Sequence, residues 1–304
     1  MYRVNVSSVN DFASCRFRWW AKWIMNRVPV AESPALDAGR LLHRAFEDHF
    51  ENGTPLGLAT TTQCKLYRGL IPKAHPAAQA GALKAVEVIE DLIEAMPLWQ
   101  DQFKIDHVLE VEEPFEYPDP EMKDVLWLGR PDRVVVSGRR IWHEQNRGLG
   151  SSVNFGTYLR LQSRSYHEHL YAEALNWKYG GTPRVGGTVF NLVRKLKFRT
   201  NAGKKNEAVK TAAEMFWQGA MAVRLDGGLH RSVMAALRGH VQQMQRVEAA
   251  WRIDGIIPPP NEKMNGGYGG NSEDPYFRVL IGEITLDDDA VFKKREDMYV
   301  PDTD

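Results

Sequence analysis

Residues 129–148 read GRPDRVVVSGRRIWHEQNRG. Pro131-Asp132 heads the apolar run Val134-Val135-Val136, Ser137-Gly138 signals a turn, and a second run through Ile141-Trp142 ends on Glu144, Gln145, Asn146 and Arg147. β-Branched and aromatic residues on either side of a glycine turn predict two antiparallel strands. Burying charged and amide side chains is costly unless they are paired or put to use, so the polar end of the second strand is where a function is sought.

Strands and helices extend outward from this hairpin. Upstream, FKIDHVLEVEEPFEYP (103–118) and DVLWLG (124–129) are rich in strand formers. Downstream the pattern predicts a helix over 158–179, a strand in TPRVGGTVFNLVRKLKF (182–198) and a long helix through MAALRGHVQQMQRVEAAWRI (234–253). The N-terminal third reads as helical. SSVNDFASCRFRWWAKWIM (7–25) has Ser7 or Ser8 as candidate N-cap, and DAGRLLHRAFEDHFENG (37–53) stops at Asn52-Gly53, with His43 and Glu47 on one face. AGALKAVEVIEDLIEAM (80–96) sets Leu83, Val86, Ile89, Leu92 and Ile93 at the spacing of a packed face. Trp19, Trp20 and Trp23 invite a base-stacking role, but aromatics at helical spacing read as core packing. The order of elements predicts one α/β (α+β) domain, a mixed sheet flanked by helices. Residues 1–100 would form a mainly helical part, 101–260 the core, and 261–304 a Pro/Gly-rich loop and tail.

Of 304 residues 43% are hydrophobic, ample for a core. There is no apolar run of about 18 residues, and MYRVNVSSVNDF lacks the apolar segment of a signal peptide, so no membrane association and a cytoplasmic location are expected. Two cysteines, Cys15 and Cys64, exclude a disulfide framework and a four-cysteine metal site. Lys plus Arg and Asp plus Glu stand at 39 each, so net charge gives no argument for a nucleic-acid partner. Basic residues do cluster, at Arg16, Arg18, Lys22 and Arg27, at Arg130, Arg133, Arg139, Arg140 and Arg147, and at Arg194, Lys195, Lys197, Arg199, Lys204 and Lys205. Each cluster fits either a phosphate groove or a solvated face.

GRLLH (39–43) matches Gly-x-x-x-His, GRPDRVVV (129–136) matches Gly-x-x-Asp, and QSRSY (162–166) matches Gln-x-x-x-Tyr, followed by YAEAL (171–175). With the basic aromatic run after Cys15, these residues resemble the RecB-like, Cas4-like branch of the PD-(D/E)XK nuclease superfamily. The resemblance implies a restriction-endonuclease-like core and metal-dependent phosphodiester hydrolysis. Asp132 would be the central ligand of one or two Mg²⁺ or Mn²⁺ ions, with His43 adding an imidazole that suits Mn²⁺. IIPPPNEKMNGGYGGNSEDPYFRVL (256–280) resembles the segment in which iron-sulfur relatives place three cysteines. Met264, Asp274 and Leu280 stand about there and only Cys15 remains, so no iron-sulfur cluster is expected, the loop closing instead on Tyr276 and Phe277.

The third motif of the family, a carboxylate and a lysine two residues apart, has two registers here. In one, Gln145 stands for the carboxylate and Arg147 for the lysine; in the other, Glu144 keeps the carboxylate and Asn146 removes the cation. A two-residue loop at Ser137-Gly138 would set Asp132 opposite His143, with Gln145 on their face and Glu144 pointing away; a longer turn or a bulge would restore Glu144. Gln is a neutral ligand, and Arg keeps the charge but cannot act as a base. Gln-x-x-x-Tyr is also ambiguous, since His167 and Tyr171 repeat the spacing of Gln162 and Tyr166; either pair would face DNA, as would Lys195 and Arg130. The resemblance points to an exonuclease acting on single-stranded DNA or DNA ends in replication, recombination or repair, as in a phage, with a helicase, polymerase or recombination protein as possible partner. The competing reading is a weak or inactive nuclease-fold DNA-binding subunit, and a third a structural partner with a vestigial core.

Overall fold

The hairpin of residues 129–148 is the centre of the main sheet. In a computed structural model, the structure describes residues 1–31, 34–99, 102–150, 153–181, 184–195, 215–259, 275–280 and 283–295. In chain order the elements are β1 (Tyr2–Asn5), α1 (Val6–Ser14), α2 (Arg16–Trp19), β2 (Arg27–Pro29), α3 (Pro34–Asn52), α4 (Leu56–Leu70), α5 (Pro76–Glu90), β3 (His107–Val111), β4 (Phe115–Pro118) and β5 (Val125–Gly129). They continue with β6 (Arg133–Ser137), β7 (Arg140–Gly150), α6 (Phe155–Gln162), α7 (Tyr166–Lys178), β8 (Arg184–Lys195), β9 (Phe216–Ala222), α8 (Gly228–Asp254), α9 (Pro275–Leu280) and β10 (Phe292–Lys294). No helix among the described residues is long and apolar enough to cross a membrane.

The chain divides into two compact units, one of Met1–Arg3 and Ser33–Ala235, the other of Val4–Glu32 and Ala236–Asp304. The first holds a five-stranded mixed sheet of order β3-β6-β7-β8-β9, in which only β7 and β8 run parallel. A parallel pair needs a long connection, which α6 and α7 supply. Val134 and Ile141 on one face pack with Ala172 and Leu175 of α7. On the other face Val193 and Phe216 join the core of α3, α4 and α5, built from Leu41, Leu42, Phe46, Val86 and Ile89. β4 and β5 pair separately, Tyr117 against Trp127, in a sheet of order β1-β5-β4.

The hairpin loop is Gly138-Arg139, not Ser137-Gly138: Ser137 pairs with Arg140 and Arg133 with Glu144. Gly138 takes φ +60, as a type II′ turn asks of its first loop residue. Moving the loop by one residue on each strand keeps the parity, so Gln145 rather than His143 comes opposite Asp132 and Glu144 still lies on the other face. The expected helix over 158–179 is two helices broken at Ser163–Ser165, since Ser163 caps α6 and Ser165 precedes α7. Stretch 103–118 splits into β3 and β4 in different sheets, with Glu112 at φ +51 in between. α3 ends as expected at Asn52, with Gly53 at φ +68.

In the second unit α1 is capped by Asn5, whose side chain accepts from the Ser8 N–H, and not by Ser7 or Ser8. Trp19 and Trp20 are buried, Trp19 donating to Ser8 Oγ and Trp20 meeting Trp251 edge-on, while Trp23 donates to Asp11 beneath Arg295. Cys15 is buried, its Sγ accepting from the Arg18 N–H. Tyr276 is buried against Phe292 and donates to the Arg27 carbonyl. Met264 and Asp274 lie outside the described residues, as do the side chains of Phe277 and Leu280.

Candidate metal centre

Three elements of the first unit meet at one point. His43 comes from the middle of α3, Glu112 follows β3, and Asp132 immediately precedes β6. His43 Nε2 lies 2.9 Å from Asp132 Oδ1 and 3.3 Å from Glu112 Oε1, and the three ligand atoms lie within 4.8 Å of one another. The backbone ties the two acids together: the Glu112 N–H donates to the Asp132 carbonyl, and the Asn146 N–H of β7 donates to Asp132 Oδ2 at 2.6 Å. Glu112 reaches the centre because the β3–β6 pairing slips between Val108 and Glu110 and the chain then turns at positive φ.

The three groups titrate against one another. Burial pushes the Glu112 carboxyl up to about 7, with His43 and Arg130 pulling the other way. Burial also opposes the charge of Asp132, yet His43, Arg147 and the Asn146 N–H hold it below the usual carboxylate range. Burial opposes a charge on His43 as well, but Asp132 and Glu112 more than offset it and raise the imidazole. Two carboxylate oxygens and an imidazole nitrogen converging on one point, with Asp132 only 7% exposed, fit a divalent cation of the Mg²⁺ or Mn²⁺ type.

The expected residues of the third motif separate. Glu144 is fully buried on the face away from Asp132, where it takes a 2.6 Å salt bridge from Arg133, whose guanidinium stacks at 3.7 Å on Phe50. The register that would have made Glu144 a ligand is therefore corrected. Gln145 is on the Asp132 face, its Oε1 accepting from Arg147 Nη2 at 2.7 Å and its Nε2 donating to Glu168 Oε1 at 3.0 Å. Burial works against the Arg147 charge, but Asp132, Tyr158, Glu168 and Tyr171 hold it in place.

Gln162 closes α6 and Tyr166 opens α7, so the break removes the shared helical face that Gln-x-x-x-Tyr presupposed. His167 and Tyr171 do share α7, their rings 5.7 Å apart. Tyr171 is a buried clamp rather than a DNA contact: its hydroxyl accepts from the Arg130 N–H at 3.2 Å and donates to the Arg130 carbonyl at 3.3 Å. A side chain at Gly129 would strike Phe115 and Tyr171, so glycine is what lets this clamp close on the Gly-Arg-Pro-Asp turn. His167 is half-buried and held down to about 4, by burial first and then by Arg147. The Arg130 side chain is 46% exposed and pairs with Glu112 at 3.1 Å. Lys195 ends β8, with its side chain outside the described residues.

Glu112 and Glu168 are the residues that sequence reasoning missed. Fold and centre define a class: an α/β protein that sets a carboxylate–imidazole cluster able to hold a metal ion where the central hairpin of its sheet meets a helix. A family model of the PD-(D/E)XK nuclease superfamily matches residues 3–144. The matched stretch, similar to that superfamily, holds His43, Glu112 and Asp132. No curated protein matches the chain.

Proposed function

We propose that the protein is a divalent-metal-dependent deoxyribonuclease of the RecB-like, Cas4-like kind, an exonuclease on single-stranded DNA or DNA ends in replication, recombination or repair. The observation that carries this reading is the convergence of His43, Glu112 and Asp132 on one point. These three would hold Mg²⁺ or Mn²⁺, the imidazole favouring Mn²⁺. When bound, such an ion supplies Lewis acidity at a phosphodiester and makes water a better nucleophile. Arg147, fixed near Asp132, stabilises charge developing on the phosphate but cannot take a proton. Arg130 offers a half-exposed guanidinium to a neighbouring phosphate, and Gln162, Tyr166 and His167, at the α6–α7 break, would contact the strand as well.

One observation favours a second reading, a weakly active or inactive DNA-binding subunit. Gln145 is neutral and its carbonyl oxygen is engaged by Arg147, so the β7 strand adds no negative charge to the centre. End-labelled single-stranded DNA with Mn²⁺, beside Asp132→Ala, separates the two. Metal-dependent product from the wild type and none from the variant supports the nuclease; DNA binding without product from either supports the subunit.

A further inference from the structure

Next to the candidate centre lies a run of buried polar groups that metal ligation does not use. Glu168, on α7, is fully buried, and each hydrogen bond described for its carboxylate is one that it accepts. Oε1 takes the Gln145 amide N–H at 3.0 Å, and Oε2 takes the Thr188 hydroxyl, with His143 Nε2 at 3.1 Å. His143 Nδ1 is buried with no partner among the described residues. The single proton of this neutral ring therefore belongs on Nε2, where Glu168 Oε2 and Thr188 Oγ1 accept it.

At the other end of the run Arg147 can only donate. Above pH 7, where Glu168 is ionised, Gln145 thus stands between a group that only accepts and a group that only donates, and a single orientation satisfies both. Turned over, its NH₂ would face the guanidinium and its carbonyl the carboxylate. The order of donors and acceptors is locked from Thr188 and His143 through Glu168 and Gln145 to Arg147. A free arginine side chain samples many rotamers, and this run removes that freedom at a place where Arg147 and Asp132 feel each other's charge.

We infer that Glu168 is a positioning residue which, acting through Gln145, fixes the guanidinium of Arg147 beside Asp132. The inference rests on the nuclease reading above for its consequence in the reaction. Glu168→Gln breaks the polarity: the new amide cannot accept from Gln145, Thr188 and His143 together, so Gln145 turns and Arg147 loses its Gln145 acceptor, with the Tyr158 hydroxyl as its remaining side-chain partner. Gln145→Glu breaks it in another way, by setting two buried carboxylates face to face. Combined, the two substitutions restore the alternation, since the amide now on α7 donates to the carboxylate now on β7, which in turn accepts from Arg147.

The experiment measures kcat and KM for Mn²⁺-dependent cleavage of single-stranded DNA by the four proteins, with the Arg147 side-chain N–H resonance followed by ¹⁵N NMR. Each single substitution should lower kcat about tenfold to a hundredfold with little change in KM, the scale for a displaced catalytic group. The double variant should return to within about threefold of wild type, because the two sites are coupled. The resonance should be lost in both single variants and regained in the double. A packing role alone gives no such reciprocity. Wild-type kcat and an unmoved resonance in Glu168→Gln, or a double variant no better than the slower single one, overturns the inference. Should Glu168→Gln fail to fold, Gln145→Met cuts the run while leaving Glu168 in place, and wild-type kcat there overturns it equally. A wild type that makes no product sinks the nuclease reading instead, and the resonance alone then decides whether Glu168 positions Arg147.

Discussion

Asp132 is held at the centre through both its side chain and its backbone. His43 and the Asn146 N–H meet its two oxygens, and its backbone carbonyl receives the Glu112 N–H. Asp132→Asn keeps the acceptor for Asn146 while removing the charge, so Mn²⁺ affinity measured by calorimetry should fall about a hundredfold or more, with a lower melting temperature at neutral pH because His43 and Arg147 lose the charge they stabilise. Glu112 makes that affinity pH-dependent. Its carboxyl titrates at about 7 without metal, so below that pH a proton competes with the ion. Affinity should drop as pH falls through 7, by more than tenfold per pH unit because the raised imidazole of His43 must shed a proton too, and Glu112→Gln should take about tenfold per unit out of that slope. A slope unchanged in Glu112→Gln would exclude it as a ligand. His43 and Asp132 were legible because each sits at a fixed spacing within one predicted element. Glu112 was one of three glutamates in EVEEPF, and what selects it is a slip in strand pairing plus a positive φ, neither of which alternation reveals. Glu168, in YHEHLY, carries no mark in the sequence; what singles it out is that Gln145 and Thr188 donate to it.

At the scale of elements, the β6–β7 hairpin decides which side chains meet. Its parity was legible although its loop was misplaced, because a shift of one residue on each strand leaves every side chain on its own face. Gly138 holds the loop at φ +60 with open space where a Cβ would go, so the cost of Gly138→Ala is purely conformational. It should destabilise by about 1 kcal/mol, the usual penalty for a non-glycine residue in the left-handed region, seen as a lower midpoint in urea. Cleavage by the folded variant should be unaffected. The helix break at Ser163–Ser165 was less legible, because periodicity runs through it and the caps are ordinary serines. What it achieves is to let α7 start afresh and aim Tyr171 at the backbone of Arg130. Tyr171→Phe should cost about 1–2 kcal/mol, the net worth of a buried hydroxyl with two partners, and should also lower kcat by loosening the turn that carries Asp132. A loss of stability with kcat intact would show the clamp to be structural only.

Across the whole molecule, the mixed sheet with helices on both faces was readable from the order of elements. The pairing of Val4–Glu32 with Ala236–Asp304 in one unit joins segments that no local pattern connects. The other unit carries an unusual stock of buried titratable groups, whose effects on stability oppose each other. Burial holds His143 down to about 3 and His167 to about 4, while it lifts Glu112 and Glu168 to about 7. A histidine depressed in the fold contributes stability that is present above its unfolded value near 6.5 and lost as pH falls toward the folded one. A carboxyl raised in the fold does the reverse: its stability is complete below the unfolded value of 4.5 and lost as pH rises through about 7. Between pH 7 and 5 the depressed histidines, His169 and His240 among them, lose while Glu112, Glu168 and the raised His43 gain, so the metal-free protein should show a nearly level melting temperature. Below about 4.5 the carboxyl gain is complete while the histidine loss continues, and the melting temperature should fall steeply. Glu168→Gln removes one of the opposing groups, so the same scan in EDTA should slope downward from pH 7 to 5. A level profile in that variant would mean that Glu168 does not take up a proton in the fold.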